Sequence, residues 1–467
     1  MRRPRFRTHV GLAGSLLVAL LAVFVVTPGS ASAKPAAGPH SKLETDLAGN
    51  DSRSTTGEPE IAINPRNPNN LFADWTTFAY PPGTSAPPQT YACGGLSSMN
   101  DGLSWQPAPV TLGSCADAVA AFGPDGTLYA GGIAVGGLTN VPCGTPASIT
   151  FGGGCILVQA TDTLLRSTNS GRTWSAPVKT MGAASLGPFP FAPGSGNPAQ
   201  TFDRPWVDVD QSTGTVYASG ANIADHERFI TASTNRGQSF GTIYAVDSPT
   251  YPSGGLPSGT IAAANGVVAV AYTAAQAPGA KCPCVIFETS TDHGATFTRH
   301  IVPVHNAAAT ERPFVTADAG AKGHYALAIL DSTGTKNQVY VTDNSGTTWH
   351  GPTQVAEAPA NQRFKPWLSF GTSGQLTLVW RTLYGNGTYD VWAAVGREEG
   401  QREVFSAPLR VSSAAAPYPP LSKQGEGDDF SFITAGRQYV HVGWGDSRNG
   451  PTQFWYARIP LSSFGGS

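Results

Sequence analysis

One octapeptide recurs five times along the 467-residue chain, and no other feature of the sequence restricts the fold as tightly. It runs Ser98, Asn100, Gly102, Ser104, Trp105, and returns as Ser167, Asn169, Gly171, Thr173, Trp174. Three further copies follow: Ser233 to Phe240, Ser290 to Phe297, and Thr342 to Trp349. The pattern suits a hairpin turn. Asn or Asp bonds to its own backbone two residues on, Gly supplies a positive φ, and the terminal ring fills the gap beside the strands. A worn sixth copy ends at Phe405, where Phe405-Ser406-Ala407-Pro408 echoes Trp174-Ser175-Ala176-Pro177. Composition agrees: 55 Gly and 38 Pro with only 13% charged residues exclude a coiled coil or a mostly helical chain. With 40% hydrophobic residues, the chain has enough apolar surface for a large core and is not disordered.

A second column of residues sets the number of repeats. Ahead of each turn lies a short strand, with its first inward apolar residue placed at Ile61, Val119, Val207, Ile261, Val315, Leu368 and Phe430. Turn signals follow, such as Asp125-Gly126, Asn265-Gly266 and Ser373-Gly374. Seven such strands imply an all-β fold, a β-propeller of seven blades with four antiparallel strands each; six blades is the alternative. The last unit, ending near Ile459, has room for three strands only, so residues near Leu43 to Leu47 are expected to supply its fourth and close the ring. The domain division reads 1–33 as a signal peptide, 34–56 as linker and closing strand, and 57–467 as one propeller.

The N-terminal segment carries the marks of export. Arg2, Arg3, Arg5 and Arg7 precede an apolar run from Val10 to Val26, and Ala31-Ser32-Ala33 is a small-x-small cleavage signal. Removing its four arginines takes the net charge from −2 to −6. A secreted, extracellular and monomeric protein of that charge has no electrostatic reason to bind nucleic acid, and no membrane anchor is expected. All six cysteines follow Ala33, an even number that favours disulfides in an exported chain. Cys143–Cys155 and Cys93–Cys115 are the favoured pairs, while Cys282-Pro283-Cys284 is hard to read as a bridge across one residue.

The innermost strands of such a ring start at one face. Three residues before each apolar marker stand Glu58, Ala116, Arg204, Ser258, Arg312, Lys365 and Gly427, with Asp117 and Asp428 one step later. Loops on the same face add Asp225, His226, Glu227, Arg228, His305, Arg381, Tyr384, Tyr389, Asp446, Arg448 and the Phe189–Gln200 connection. Cations, carboxylates and tyrosines gathered at one opening suit an anionic carbohydrate, because guanidinium groups grip carboxylates in a bidentate way. Inter-blade ion pairing is the structural alternative for each of them.

The octapeptide resembles the Asp-box of the sialidase superfamily, and that resemblance covers most of the chain after the signal peptide. It implies a sialidase-like glycosidase acting on sialic acid or a uronate, with no metal or organic cofactor. On that pattern Arg204, Arg312 and Arg381 form a carboxylate clamp, and Tyr384 (or Tyr389) is the nucleophile. Glu311 is then its base and Asp117 or Asp225 the acid, with Lys365, Glu58, Arg448 and His305 around the substrate. The family's Arg-Ile-Pro element, expected before the first boxes, occurs here only as Arg458-Ile459-Pro460. Two other functions fit the same residues: a uronate lyase using His226, His305 and Tyr384, and a propeller that binds glycan or protein without turnover. Gly-rich stretches such as Gly152-Gly153-Gly154 do not open helices in βαβ units, which excludes a dinucleotide fold.

Overall fold

The computed structural model describes residues 42–49, 54–79, 90–143, 149–151, 154–182, 202–222, 227–253, 260–304, 313–331, 333–355, 362–400, 402–418 and 431–465. Their strands form seven antiparallel sheets, each with a core path of four strands. The inner strands are, in order, Ser54–Ile63, Ala116–Phe122, Phe202–Val209, Ile261–Ala264, Phe314–Ala317, Gln362–Phe370 and Ser431–Ala435. The seven-bladed expectation holds, and apart from one 3-10 turn at Leu461–Phe464 the described residues contain no helix. No helix of the described residues is long and apolar enough to cross a membrane.

The ring closes as the missing fourth strand required. Leu43–Asp46 pairs antiparallel with Gln453–Pro460, Leu43 opposite Arg458 and Asp46 opposite Trp455. Two distant parts of the chain thus share the seventh sheet, which closes the ring. Arg448 locks this seam: its guanidinium bonds Glu44 at 2.8 Å and Asp446 at 2.5 Å, and lies over the Trp455 ring at 4.1 Å.

The octapeptides hold neighbouring blades together. In the second copy Ser167 Oγ accepts from Gly171 N at 2.8 Å, and Asn169 Oδ1 accepts from Thr173 N at 2.9 Å. Gly102 has φ +76°, and a Cβ there would sit 1.8 Å from the Tyr456 hydroxyl, so only Gly fits. The terminal rings cross the junctions: Trp105 meets Tyr456 of blade 7, Trp174 meets Phe72 of blade 1, and Trp349 meets Phe287 of blade 4. The ring therefore plugs a gap between blades, where the sequence pointed to a gap between strands.

Cys93–Cys115 is bridged as expected and ties blade 1 to the entry of blade 2. Cys282 and Cys284 also bond to one another, across the single proline that made the pair hard to read. Cys143 is disulfide-bonded, but the Cys143–Cys155 pairing rests on side chains outside the described ones.

The seam gives a stability test. Arg448→Ala leaves Glu44 and Asp446 half of a broken, mostly buried network, and is expected to lower stability by about 3 kcal/mol, on the order of 3 °C in the thermal midpoint for a chain of this size. Arg397→Ala removes an exposed pair with Glu399 and should barely move it. Thermal unfolding followed by circular dichroism measures both.

Candidate functional site

Four inner strands share an irregularity at the same height. Their registers shift between Gly57 and Glu60, Ala116 and Val119, Asp203 and Trp206, and Phe364 and Trp367. Glu58, Asp117 and Arg204 occupy these bulges with left-handed φ of 52°, 48° and 55°, and Lys365 stands at the matching place in blade 6. Counting back from Val119 had put Ala116 in this ring; the bulge makes Asp117 the true equivalent of Glu58 and Arg204. Each left-handed residue costs about 1–3 kcal/mol and persists because its surroundings fix it. Here the fixing bonds run from blade to blade. Asp117 N–H donates to Glu58 Oε2 at 2.8 Å, and Arg204 N–H donates to Asp117 Oδ2 at 3.0 Å. Glu58 also accepts from Thr76 Oγ1 at 2.7 Å, and its other oxygen lies 3.5 Å from Arg204 Nη1.

Carboxyls outnumber the cation in this cluster. Burial, then the neighbouring Glu58, pushes Asp117 up to about 8, while Arg204 pulls the other way. The neighbouring Asp203 also acts on Asp117, in the direction opposite to Glu58. Asp162, on the third strand of blade 2, is 2% exposed, and among the described residues neither of its carboxyl oxygens has a hydrogen-bond partner. Burial raises it well above the ordinary carboxylate range, with Asp117 and Asp203 adding to the effect. A carboxyl kept protonated by burial is what a general acid needs at neutral pH.

Glu58, Asp117 and Arg204 are therefore brought together. Other candidates have partners elsewhere. Arg381 is fully buried, with Nε bonded to Ser431 Oγ at 2.8 Å and its guanidinium 5.1 Å from the Tyr389 ring. The Tyr389 hydroxyl donates to the Gly445 carbonyl. Tyr384, in the turn after the second strand of blade 6, donates to Asp390 Oδ2 at 2.9 Å; burial and that bond raise its hydroxyl above the usual range. Asp390 is also bound by Arg410 at 2.6 Å and Ser412 at 2.8 Å. Arg448 belongs to the seam. Asp225, His305, Glu311 and Arg312 lie outside the described residues, as does the side chain of Lys365. Sequence reading passed over Asp162, whose only signal is a carboxylate in the middle of a long strand. Among the described residues no three His, Cys, Asp or Glu side chains group as metal ligands would.

Neither a family model nor a curated protein sequence matches the chain. Solved structures do. A protein of unknown function from Dyadobacter fermentans superposes with a TM-score of 0.50 at 10% identity, over 89% of this chain and 97% of that one. A sialidase designated Hadza microbial sialidase Hz136 gives 0.43 at 14%, over 84% and 77%. The NanB sialidase of Streptococcus pneumoniae gives 0.39 at 14%, over 92% and 72%. At these identities the likeness is one of fold alone, that of the seven-bladed β-propeller described above.

Proposed function

We propose that the protein is an exported glycoside hydrolase that cleaves an anionic sugar at this mouth. Asp117 acts as the general acid and Arg204 receives the carboxylate of the sugar. One observation carries the reading: a carboxyl pushed up to about 8 by burial sits at a left-handed bulge and accepts from the backbone N–H of Arg204. The basic start, the apolar run and the disulfides support export.

In this scheme the Asp117 proton passes to the glycosidic oxygen as the bond to the anomeric carbon breaks. Water then delivers hydroxide to that carbon, directly or through a covalent intermediate on Tyr384, and its proton returns to a carboxylate. Asp225 is the alternative acid, Glu311 the base for the tyrosine. Arg312, Lys365 and His305 are proposed to complete the grip on the substrate, with Glu58 orienting Arg204. A glycan-binding propeller without turnover is the second reading, and it is favoured by the structural contacts that occupy Arg381 and Arg448.

Turnover of an aryl sialoside and of a sialyl-oligosaccharide tests the reading. Asp117→Asn is expected to slow the oligosaccharide by about 10²- to 10⁴-fold, and the aryl substrate far less because its leaving group needs little protonation. Arg204→Ala should chiefly raise KM. Absence of turnover on sialosides and uronosides alike from acidic to neutral pH would remove the proposal, and glycan binding that survives Asp117→Asn would then favour the second reading.

The raised Asp117 also leaves a mark on stability. Between its ordinary range and about pH 8 the unfolded chain releases this proton while the folded chain keeps it, so stability falls as pH rises across that window. Thermal midpoints at pH 5 and pH 8 should differ in that direction, and by less in Asp117→Asn.

A further inference from the structure

On the other side of the hub lies a cavity with different chemistry. The rings of Trp206, Phe314, Trp367 and Phe432, from blades 3, 5, 6 and 7, meet near the axis: Trp206 is 5.3 Å from Trp367, Phe314 is 4.6 Å from it and Phe432 3.9 Å. Beyond them a channel of about 580 Å³ runs to the face that carries the turns after the inner strands, among them Pro65, Gly320 and Gly374. That volume falls in the range of small-molecule sites.

Every charged side chain among the described residues lining it is acidic: Glu60, Asp208 and Asp318. Two of the three are satisfied. Asp208 accepts from Val209 N–H and Ala263 N–H, and Asp318 accepts from Gly320 N–H and faces His324 at 3.2 Å. Glu60 differs. One oxygen accepts from Ala120 N–H at 3.0 Å, and nothing among the described residues bonds the other. Directly across the ladder stands Asp74, fully buried, and among the described residues neither of its carboxyl oxygens has a partner. Glu60 and Asp74 thus form a carboxyl pair with too few donors, at the height where the aromatic rings meet.

We infer that this channel binds a small organic ammonium ion, which enters from the face opposite the mouth and lodges between the Glu60 carboxyl and the rings of Trp206 and Trp367. The open oxygen supplies an acceptor for the ammonium N–H, and indole faces attract cations most strongly of the aromatic rings. A metal ion fits less well, because among the described residues no three ligating side chains converge. Bound beside Glu60, the cation replaces a proton. The groups facing Glu60 are Asp74 on the next strand, Asp208 of blade 3 and the Ala120 amide of blade 2; burial and the two carboxyls hold Glu60 well above the ordinary range. Affinity therefore rises with pH.

Titration of the full-length protein with n-butylammonium, followed by tryptophan fluorescence and calorimetry, tests this. Expected are saturable binding with Kd on the order of 1 mM, tighter at pH 8 than at pH 5 with proton release, and no response to n-butanol. Glu60→Gln keeps an acceptor for Ala120 N–H and should bind at least about tenfold more weakly. If that variant fails to fold, the pH dependence of the unaltered protein decides. The inference is overturned by an equal response to butanol, by affinity indifferent to pH, by unchanged binding in Glu60→Gln, or by saturation with calcium chloride where butylammonium gives none.

Discussion

A ring of separate sheets holds only if each innermost strand is fastened to the next, because these strands do not pair with one another. This chain fastens them with side chains bonded to the neighbouring backbone. Glu60 takes Ala120 N–H, Gln211 gives to Phe122 O, Asp208 takes Ala263 N–H, and Thr260 bonds both N–H and C=O of Val315. Thr316 takes Phe370 N–H, Gln375 gives to Gly436 O, and Gln453 gives to Ser54 O across the seam. All seven junctions are held in this way. A buried amide needs an acceptor, and a short carboxylate or hydroxyl reaches it where a water molecule does not fit.

The chemistry of the hub follows from that fastening. A chain with 13% charged residues has placed several of its acids where the blades meet, and burial lifts their proton affinities. At the mouth the same device bends the backbone. The Glu58 carboxylate holds Asp117 N–H and the Asp117 carboxyl holds Arg204 N–H, so one rim bond fixes the next bulge. The residues proposed to do chemistry are also those that set the spacing of the first three blades. Substitutions there act on geometry and reactivity together, which is why Asn and Gln, able to accept the same bonds, are the informative replacements.

The repeat, the blade number and the closing strand were legible because each is written in local sequence: a turn motif of fixed spacing, strand-length alternation, and a final unit one strand short. The bulge at Asp117 was not. Blade 2 has Ala118-Val119-Ala120-Ala121 after it, and a run of small apolar residues gives no sign of which one faces the axis. The pairing of Trp206 with Trp367 joins blades 161 positions apart and leaves no local trace. Asp162 and Asp74 sit within strands whose alternation marks only which face of the sheet they occupy. Whether that face meets water or a neighbouring blade depends on the assembled ring.

Electrostatics at the mouth would be paradoxical if every acid there were ionised. Glu58, Asp117, Asp162 and Asp203 would surround a single described guanidinium, and an anionic sugar would be repelled. Burial changes the balance: it raises Asp162 well above the ordinary carboxylate range and pushes Asp117 up to about 8, so Asp117 is a neutral donor at neutral pH. The positive potential of Arg204 is opposed by fewer negative charges than a count of residues implies. Raising pH through the Asp117 range removes the acid and adds a negative charge beside Arg204 in the same step. Proton donation and attraction for an anion are therefore lost together, a coupling built into the bond between Asp117 and the Arg204 backbone.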